Sequence, residues 1–381
     1  MTGPAAPAPE QPVPDGGLLA VHAHPDDETL ATGALLASWA AAGRPVAVVT
    51  CTRGERGEVI DTPSHPTGLA RLEGDGPALA AHRETELAAA LAALGGGPGV
   101  VGHVFLDAVD LSDAQVTGAR PGSDPAGEAR AVSDVQPTGM RPGSDTRFED
   151  SGMAWVAPGV AGPADDATAT AFVRVPLDDA AARLAAVVRA RRPDVVATYE
   201  EQGGYGHPDH VRTHEVTVRA LALAADPDAP VPGEPWGDAE LWRAVTPSAA
   251  LRAGRRALAA APAVQDLAAR TGLTFPDPDE PLPPLARHDA ELRDAGPHDV
   301  AQVAVAPVLD RVLAAMRAHA TQVQHATGAP EAALPGADLP GWYALSNAVL
   351  APVPAHEVYL VSSSPTAPDV AARRTPVGSR R

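Results

Sequence analysis

The sequence predicts an α/β fold, a mostly parallel sheet with helices on both faces plus a smaller C-terminal α+β region, on three observations. Short apolar runs at 18–23, 45–51, 100–106 and 194–199 alternate with helical stretches at 29–42, 78–94 and 177–192. That order is the one a parallel sheet with crossover helices requires. Polar, histidine-bearing clusters also come directly after two of the strands, at the carboxyl edge where open sheets of the Rossmann-like kind hold ligands. Finally, 45% of the 381 residues are hydrophobic, which suffices for a large core, while aromatics are only 3%, so Ala, Val and Leu must build it.

Residues 18–23 read as a buried strand that stops at His24, Pro25 and three consecutive carboxylates, Asp26, Asp27 and Glu28. Leu30, Ala34, Leu35 and Trp39 then recur at helical spacing, with Gly43 at the C-cap position. The acidic cluster therefore occupies a strand-to-helix turn. The second strand, 45–51, ends in Cys51, the only cysteine, which rules out an intrachain disulfide and reads as a buried structural thiol. A polar, glycine-interrupted loop at 52–61 precedes the Ala/Leu helix at 78–94, which ends at Gly95, Gly96 and Gly97 before the third strand.

Segment 107–150 breaks the alternation and carries a Thr-Gly-X-Arg-Pro-Gly-Ser-Asp unit twice, at 117–124 and 138–145. Two copies are too few for a solenoid, and the composition reads as a surface insertion. The helix at 177–192 places Leu184, Val187 and Val188 on one side, and Pro193 ends it. The fourth strand runs into the loop bearing Tyr205, His207 and His210, where Pro208 suits the first turn of the next helix. Beyond about Asp226 proline content rises and periodicity weakens; a strand near 300–305, a helix from Pro307 to about Val323, and strands within 345–353 and 358–362 remain. The expected division is a disordered tail at 1–16, a main domain at 17–229, a smaller region at 230–364 and a second tail at 365–381.

The net charge of −19, with all 29 basic residues arginine, excludes nucleic acid and anionic membrane surfaces as partners, because both need clustered positive charge. No run of 18 or more apolar residues occurs, and 1–16 lacks the basic start and apolar centre of a signal peptide, so a cytoplasmic protein is expected.

Acidic side chains at a helix N-terminus are favoured by the helix dipole, which accounts for a carboxylate but not for His24. His24 and Asp27, three positions apart around a turn, can converge on one cation. A third donor from 205–210 would complete a catalytic metal site with a position open for water. His207 and His210 are three apart across a helix start and can face one side. His210 and His214 also stand at i, i+4, but no zincin-type glutamate accompanies them, so His214 reads as a solvated or core histidine.

Together, His24-Pro25-Asp26-Asp27-Glu28 and His207-Pro208-Asp209-His210 resemble the zinc-dependent sugar N-deacetylases typified by N-acetylglucosaminyl-phosphatidylinositol deacetylase. The 50–60 loop, Asp150-Ser151-Gly152-Met153, the 203–214 run and His319-Ala320-Thr321-Gln322-Val323 look like the mycothiol-pathway branch of that family, and the resemblance covers about residues 18–360. It implies that His24, Asp27 and His210 hold one zinc and that Asp26 is the general base. It further implies that His207 protonates the leaving amine or stabilises the tetrahedral intermediate, and that Tyr205 donates to the oxyanion. Glu58, Arg83 and Asp150 would contact substrate hydroxyls; on the residues alone, Glu58 is an ordinary loop carboxylate, Arg83 can pair with Glu84 or Glu86, and Asp150 can cap the residues after it.

Histidine–carboxylate sites admit iron(II) as well as zinc. The implied substrate is a small pseudodisaccharide, N-acetylglucosaminyl-inositol, which would lose acetate. The alternatives are a mycothiol S-conjugate amidase, a deacetylase of another N-acetyl sugar, and a metal-stabilised sugar-binding module. No nucleotide is expected, because no G-x-G-x-x-G comes after the first strand and the acidic turn would repel a pyrophosphate. The 107–150 segment and the proline-rich tail depart from the family pattern, and the first of these bears on substrate access because it ends at Asp150. Sequence leaves the oligomeric state open.

Overall fold

The computed structural model describes residues 16–111, 147–157, 160–329 and 339–363; both expected tails, apart from residue 16, and both copies of the repeated unit lie outside the described residues. Among the described residues the strands are β1 Leu18–His22, β2 Val46–Thr50, β3 Gly102–Phe105, β4 Met153–Ala157, β5 Val160–Pro163, β6 Val195–Tyr199, β7 Glu240–Val245, β8 Val300–Ala304, β9 Gln324–Gly328, β10 Gly341–Ala344, β11 Leu350–Val353 and β12 His356–Ser363. The helices are α1 Asp27–Ala41, α2 Gly76–Gly95, α3 Leu177–Arg191, α4 Gly203–Gly206, α5 Pro208–Ala225, α6 Ser248–Ala260, α7 Pro262–Thr271, α8 Asp289–Asp294 and α9 Leu309–Ala318.

Seven strands form one sheet in the order β3-β2-β1-β6-β7-β12-β8. The pairs from β3 through β7 are parallel, and β12 alone is reversed, antiparallel to both β7 and β8. The mostly parallel sheet is therefore as expected, but the chain crosses residue 230 without leaving it: β7, β8 and β12 all come from beyond that position. Two smaller antiparallel sheets, β11-β10-β9 and β4-β5, complete the architecture.

Alternation along the central strands explains the two covered faces. Leu18, Ala20, Val46 and Val48 point to one side, where they pack with α1, α2 and α9 through Leu35, Trp39, Leu91 and Val312. Leu19, Val21, Ala47 and Val49 point to the other, against α3 and α5 through Leu184, Val188, Val216 and Leu221. Strands buried on both faces read as continuous apolar runs, as these do. Cys51 is fully buried, its thiol pushed up to about 12 by burial.

Helix α1 bends at Thr32 (φ −140°, ψ 19°). The amides that the bend frees, those of Ala34 and Leu35, donate to the carboxylate of Glu357 in β12 at 2.7 and 2.9 Å. The helix expected through Val323 ends instead at Ala318, because the amides of Gln322 and Val323 turn back onto the carbonyl of His319 at 2.9 and 2.8 Å. Only Leu350–Val353 of the expected 345–353 run is strand. No helix among the described residues is long and apolar enough to cross a membrane.

Candidate functional site

The sheet order places the site. The chain leaves β1 toward β2 and β3 on one side, and β6 returns on β1's other side, so the crevice above the β1/β6 pair is the switch point of an open sheet. Leu18, Leu19 and Ala20 pair in register with Val195, Val196 and Ala197, which brings the corner after His22 beside the corner after Tyr199. The Tyr199 hydroxyl accepts the amide of Ala23 at 2.9 Å, and its ring lies flat on the His210 imidazole with centroids 4.2 Å apart.

Asp27 stands between two imidazoles. Its Oδ2 accepts the His24 amide at 2.9 Å and lies 3.3 Å from His24 Nδ1, while Oδ1 lies 3.3 Å from His210 Nε2. His24 Nε2 faces Asp209 Oδ2 at 3.2 Å, and His210 Nδ1 faces the Gly203 carbonyl at 3.2 Å. With the outer nitrogens donating to Asp209 and to the Gly203 carbonyl, the inner nitrogens would be free to give lone pairs to a cation. His210 Nε2 is buried without a hydrogen-bond partner; its 3.3 Å approach to Asp27 is a charge contact with the wrong geometry for a hydrogen bond. Two lone pairs and a carboxylate with no donor among them are a set that a cation satisfies, and the residues fit a divalent metal.

Two groupings that share His24 bring their metal-binding atoms within 4.8 Å of one another, His24 with His207 and His210, and His24 with Asp150 and Asp209. Their carboxylates and His207 are already engaged. Asp209 accepts from the Ser151 amide at 2.8 Å and its hydroxyl at 2.5 Å. Asp150 accepts from the amides of Gly152 and Arg56 at 2.8 and 3.3 Å. His207 Nδ1 accepts the Asp209 amide at 3.1 Å, so its Nε2 bears hydrogen. Of the ring nitrogens gathered here, His210 Nε2 is the one buried without a partner.

The carboxylates around His24 draw positive charge to this point. Burial opposes charge on His24, yet Asp150, Asp209 and Asp27 outweigh it and hold its pKa well above the ordinary value. Burial, reinforced by the neighbouring Asp27, pushes the Asp26 carboxyl up to about 8. His207 is held well below the ordinary value by burial and by the His24 and His210 rings. Burial likewise raises the Tyr205 phenol.

The profile of the family described as PIG-L, GlcNAc-PI de-N-acetylase, matches residues 19–221. The chain belongs to that family. Proteins named 1D-myo-inositol 2-acetamido-2-deoxy-alpha-D-glucopyranoside deacetylase are similar over most of its length. The one from Kineococcus radiotolerans is 40% identical over 345 residues, 90% of this chain and 76% of that protein. That from a Nocardioides species is 38% identical, covering 81% and 84%, and that from Rhodococcus jostii is 35% identical, covering 90% of each.

In this GlcNAc-PI de-N-acetylase family member, His207 and Tyr205 pack against the histidines of the site, and Asp26 stands at the corner after β1. His207 meets His24 edge-on at 4.6 Å between centroids, and Tyr205 meets His210 edge-on at 5.1 Å. Arg83 is buried, donating to the carbonyls of Gly54 and Glu58, the latter at 3.0 Å, so it pins the 52–61 loop by its backbone. Neither carboxylate expected as its partner takes it: Glu84 binds Arg53 at 2.7 Å, and Glu86 binds Thr321. The Glu58 side chain is exposed, whereas Asp150 is buried with Oδ1 3.7 Å from His24 Nε2. His214 is satisfied by the Tyr199 carbonyl at 2.9 Å.

Three contributors carried no separate sequence signal. Asp209 and Ser151 orient His24, and Tyr199 shelves His210. Gly203 could have been singled out: it has φ +68°, and a Cβ there would lie 2.6 Å from the Val211 amide nitrogen, so only glycine lets its carbonyl reach His210.

Proposed function

We propose that the protein hydrolyses the N-acetyl group of 1D-myo-inosityl 2-acetamido-2-deoxy-glucopyranoside, giving acetate and glucosaminyl-inositol, with one zinc per chain and iron(II) as the alternative metal. The observation that carries this reading is the orphaned, buried His210 Nε2 facing Asp27 and the lone pair of His24, with Asp26 beside them. His24, Asp27 and His210 would hold the metal. When bound, it supplies Lewis acidity that polarises the acetyl carbonyl and lowers the pKa of water to roughly 7.

Asp26 takes the proton from the attacking water. Burial raises its proton affinity, which makes the ionised carboxylate a stronger acceptor than an exposed one. His207 is held neutral, and its Nδ1 is occupied by the Asp209 amide, so it presents Nε2–H. Of the two roles the resemblance allows it, hydrogen-bond donation to the tetrahedral oxygen suits a neutral imidazole better than proton release. Tyr205 donates from the same side. Asp26 then returns the proton to the departing amine as the C–N bond breaks. Asp150 supports a role at the substrate face through its place beside His24, as do the Arg83-pinned loop and Glu58 at its edge.

The test is a side-by-side assay of acetate release from N-acetylglucosaminyl-inositol and amide cleavage of a mycothiol S-conjugate. The expected result is preference for the first. Preference for the conjugate assigns the amidase activity instead, and turnover of neither with retained sugar binding assigns a binding module.

A further inference from the structure

Asp26 has a backbone that its residue type does not favour. It stands at φ 120°, ψ −31°, outside the regions that L-residues with a Cβ adopt readily, and such a conformation persists only where the surroundings over-determine it. The peptide group between Pro25 and Asp26 is gripped at both ends. Its carbonyl accepts from Gln322 Nε2 at 2.7 Å. Its N–H donates to Glu28 Oε2 at 3.0 Å, and the other oxygen of Glu28 is bound by His319 Nε2 at 2.7 Å and by the Thr29 hydroxyl at 2.5 Å. Both distant partners come from a single turn after α9, 291 and 297 residues away in sequence from the groups they hold.

That turn is itself anchored. The Thr321 amide and hydroxyl donate to Glu86 of α2 at 2.8 and 2.6 Å, and its carbonyl accepts the amide of Ile60 at 2.9 Å. Glu28, His319 and Thr321 are fully buried. The side chains of the proposed metal set have further ties of their own: Asp27 to the His24 amide, His24 to Asp209, and His210 to Gly203.

We propose that His319 and Gln322 are positioning residues that orient the Pro25–Asp26 peptide, and through it aim the Asp26 carboxylate at the reacting water, without contributing to metal binding. This rests on Asp26 being the general base. A misdirected base costs rate, because displacement of the order of 1 Å lowers turnover by about 10²-fold.

Gln322→Met keeps the size of the side chain and removes the donor. The expected result is a kcat lower by about 10- to 100-fold, with KM and the one metal per chain retained. His319→Gln, which keeps a donor for Glu28, loses less than His319→Leu. The deciding measurement is a cycle with Asp26→Ala. If Gln322 acts through Asp26, the double variant Asp26→Ala/Gln322→Met is no slower than Asp26→Ala alone. Losses that multiply, or a Gln322→Met enzyme that sheds its metal, overturn the proposal. Full turnover by Asp26→Ala alone would instead remove the general-base reading, so the two failures are told apart.

Discussion

The corners after β1 and β6 meet at one pocket but are held by opposite means. The β6 corner is self-contained: His210 takes its orientation from the carbonyl of Gly203, seven residues back, and its flat support from Tyr199 at the end of the same strand. The β1 corner is held from afar, by His319 and Gln322 on the far side of the chain and by Asp209 and Ser151 across the crevice. A local device needs only glycines that tolerate positive φ. The distant device can hold a residue such as Asp26 in a conformation that its own neighbours would not enforce.

The sharpest way to break the comparison is to remove a donor atom from each corner. Asp27→Ala and His210→Ala should both abolish stoichiometric metal binding, a larger effect than the roughly 10- to 100-fold loss of affinity that comes from losing an outer contact. Metal analysis after dialysis checks it, and a variant that keeps full occupancy would remove that residue from the set.

Next in size is Gly203→Ala. The added methyl meets the Val211 amide nitrogen at 2.6 Å, so the turn must shift and the His210 support with it, and metal affinity should fall by roughly 10- to 100-fold. Gly206 is the control. It also has positive φ, +91°, but its Cβ would meet the Ala161 carbonyl of β5 at 2.8 Å, so Gly206→Ala should displace the β4-β5 hairpin and change KM while metal affinity holds. Titration of both variants with zinc separates the two outcomes.

The same contrast decides what could be read from the sequence. His24, Asp27 and His210 stand at short spacings just after apolar runs, and local spacing is what sequence reports well. The support of the β1 corner was invisible, because hydrogen bonds from His319 and Gln322 to a turn nearly 300 residues away leave no local pattern. The apolar spacing of α9 runs on to Val323, but the chain turns at His319 to supply those bonds. The pairing of Arg83 with Glu84 or Glu86 that the sequence suggests does not form, because its two terminal nitrogens donate to backbone carbonyls, a partner type that sequence does not show. The strand β7 has proline-rich flanks that concealed its place beside β6, and with it the continuity of the sheet beyond residue 230.

The smallest effect probes the distant support of α1. Burial pushes the Glu357 carboxyl up from 4.5 to about 7 while it accepts the Ala34 and Leu35 amides and the Tyr359 hydroxyl. The folded state therefore keeps a proton that the unfolded chain has released. Its stabilising contribution is full below about pH 4.5 and is lost as pH rises toward 7. Glu357→Gln removes that slope, so the Tm difference between wild type and variant should change in the variant's favour across this range. A pH-independent difference would mean that Glu357 titrates normally.

The central claim is that two adjacent aspartates do different work, Asp27 holding the cation and Asp26 moving the proton. Metal content and acetate release measured on one preparation of Asp26→Asn test it most directly. The account predicts one metal per chain with turnover lower by about 10²- to 10⁴-fold. Loss of the metal, or turnover equal to that of wild type, would contradict it.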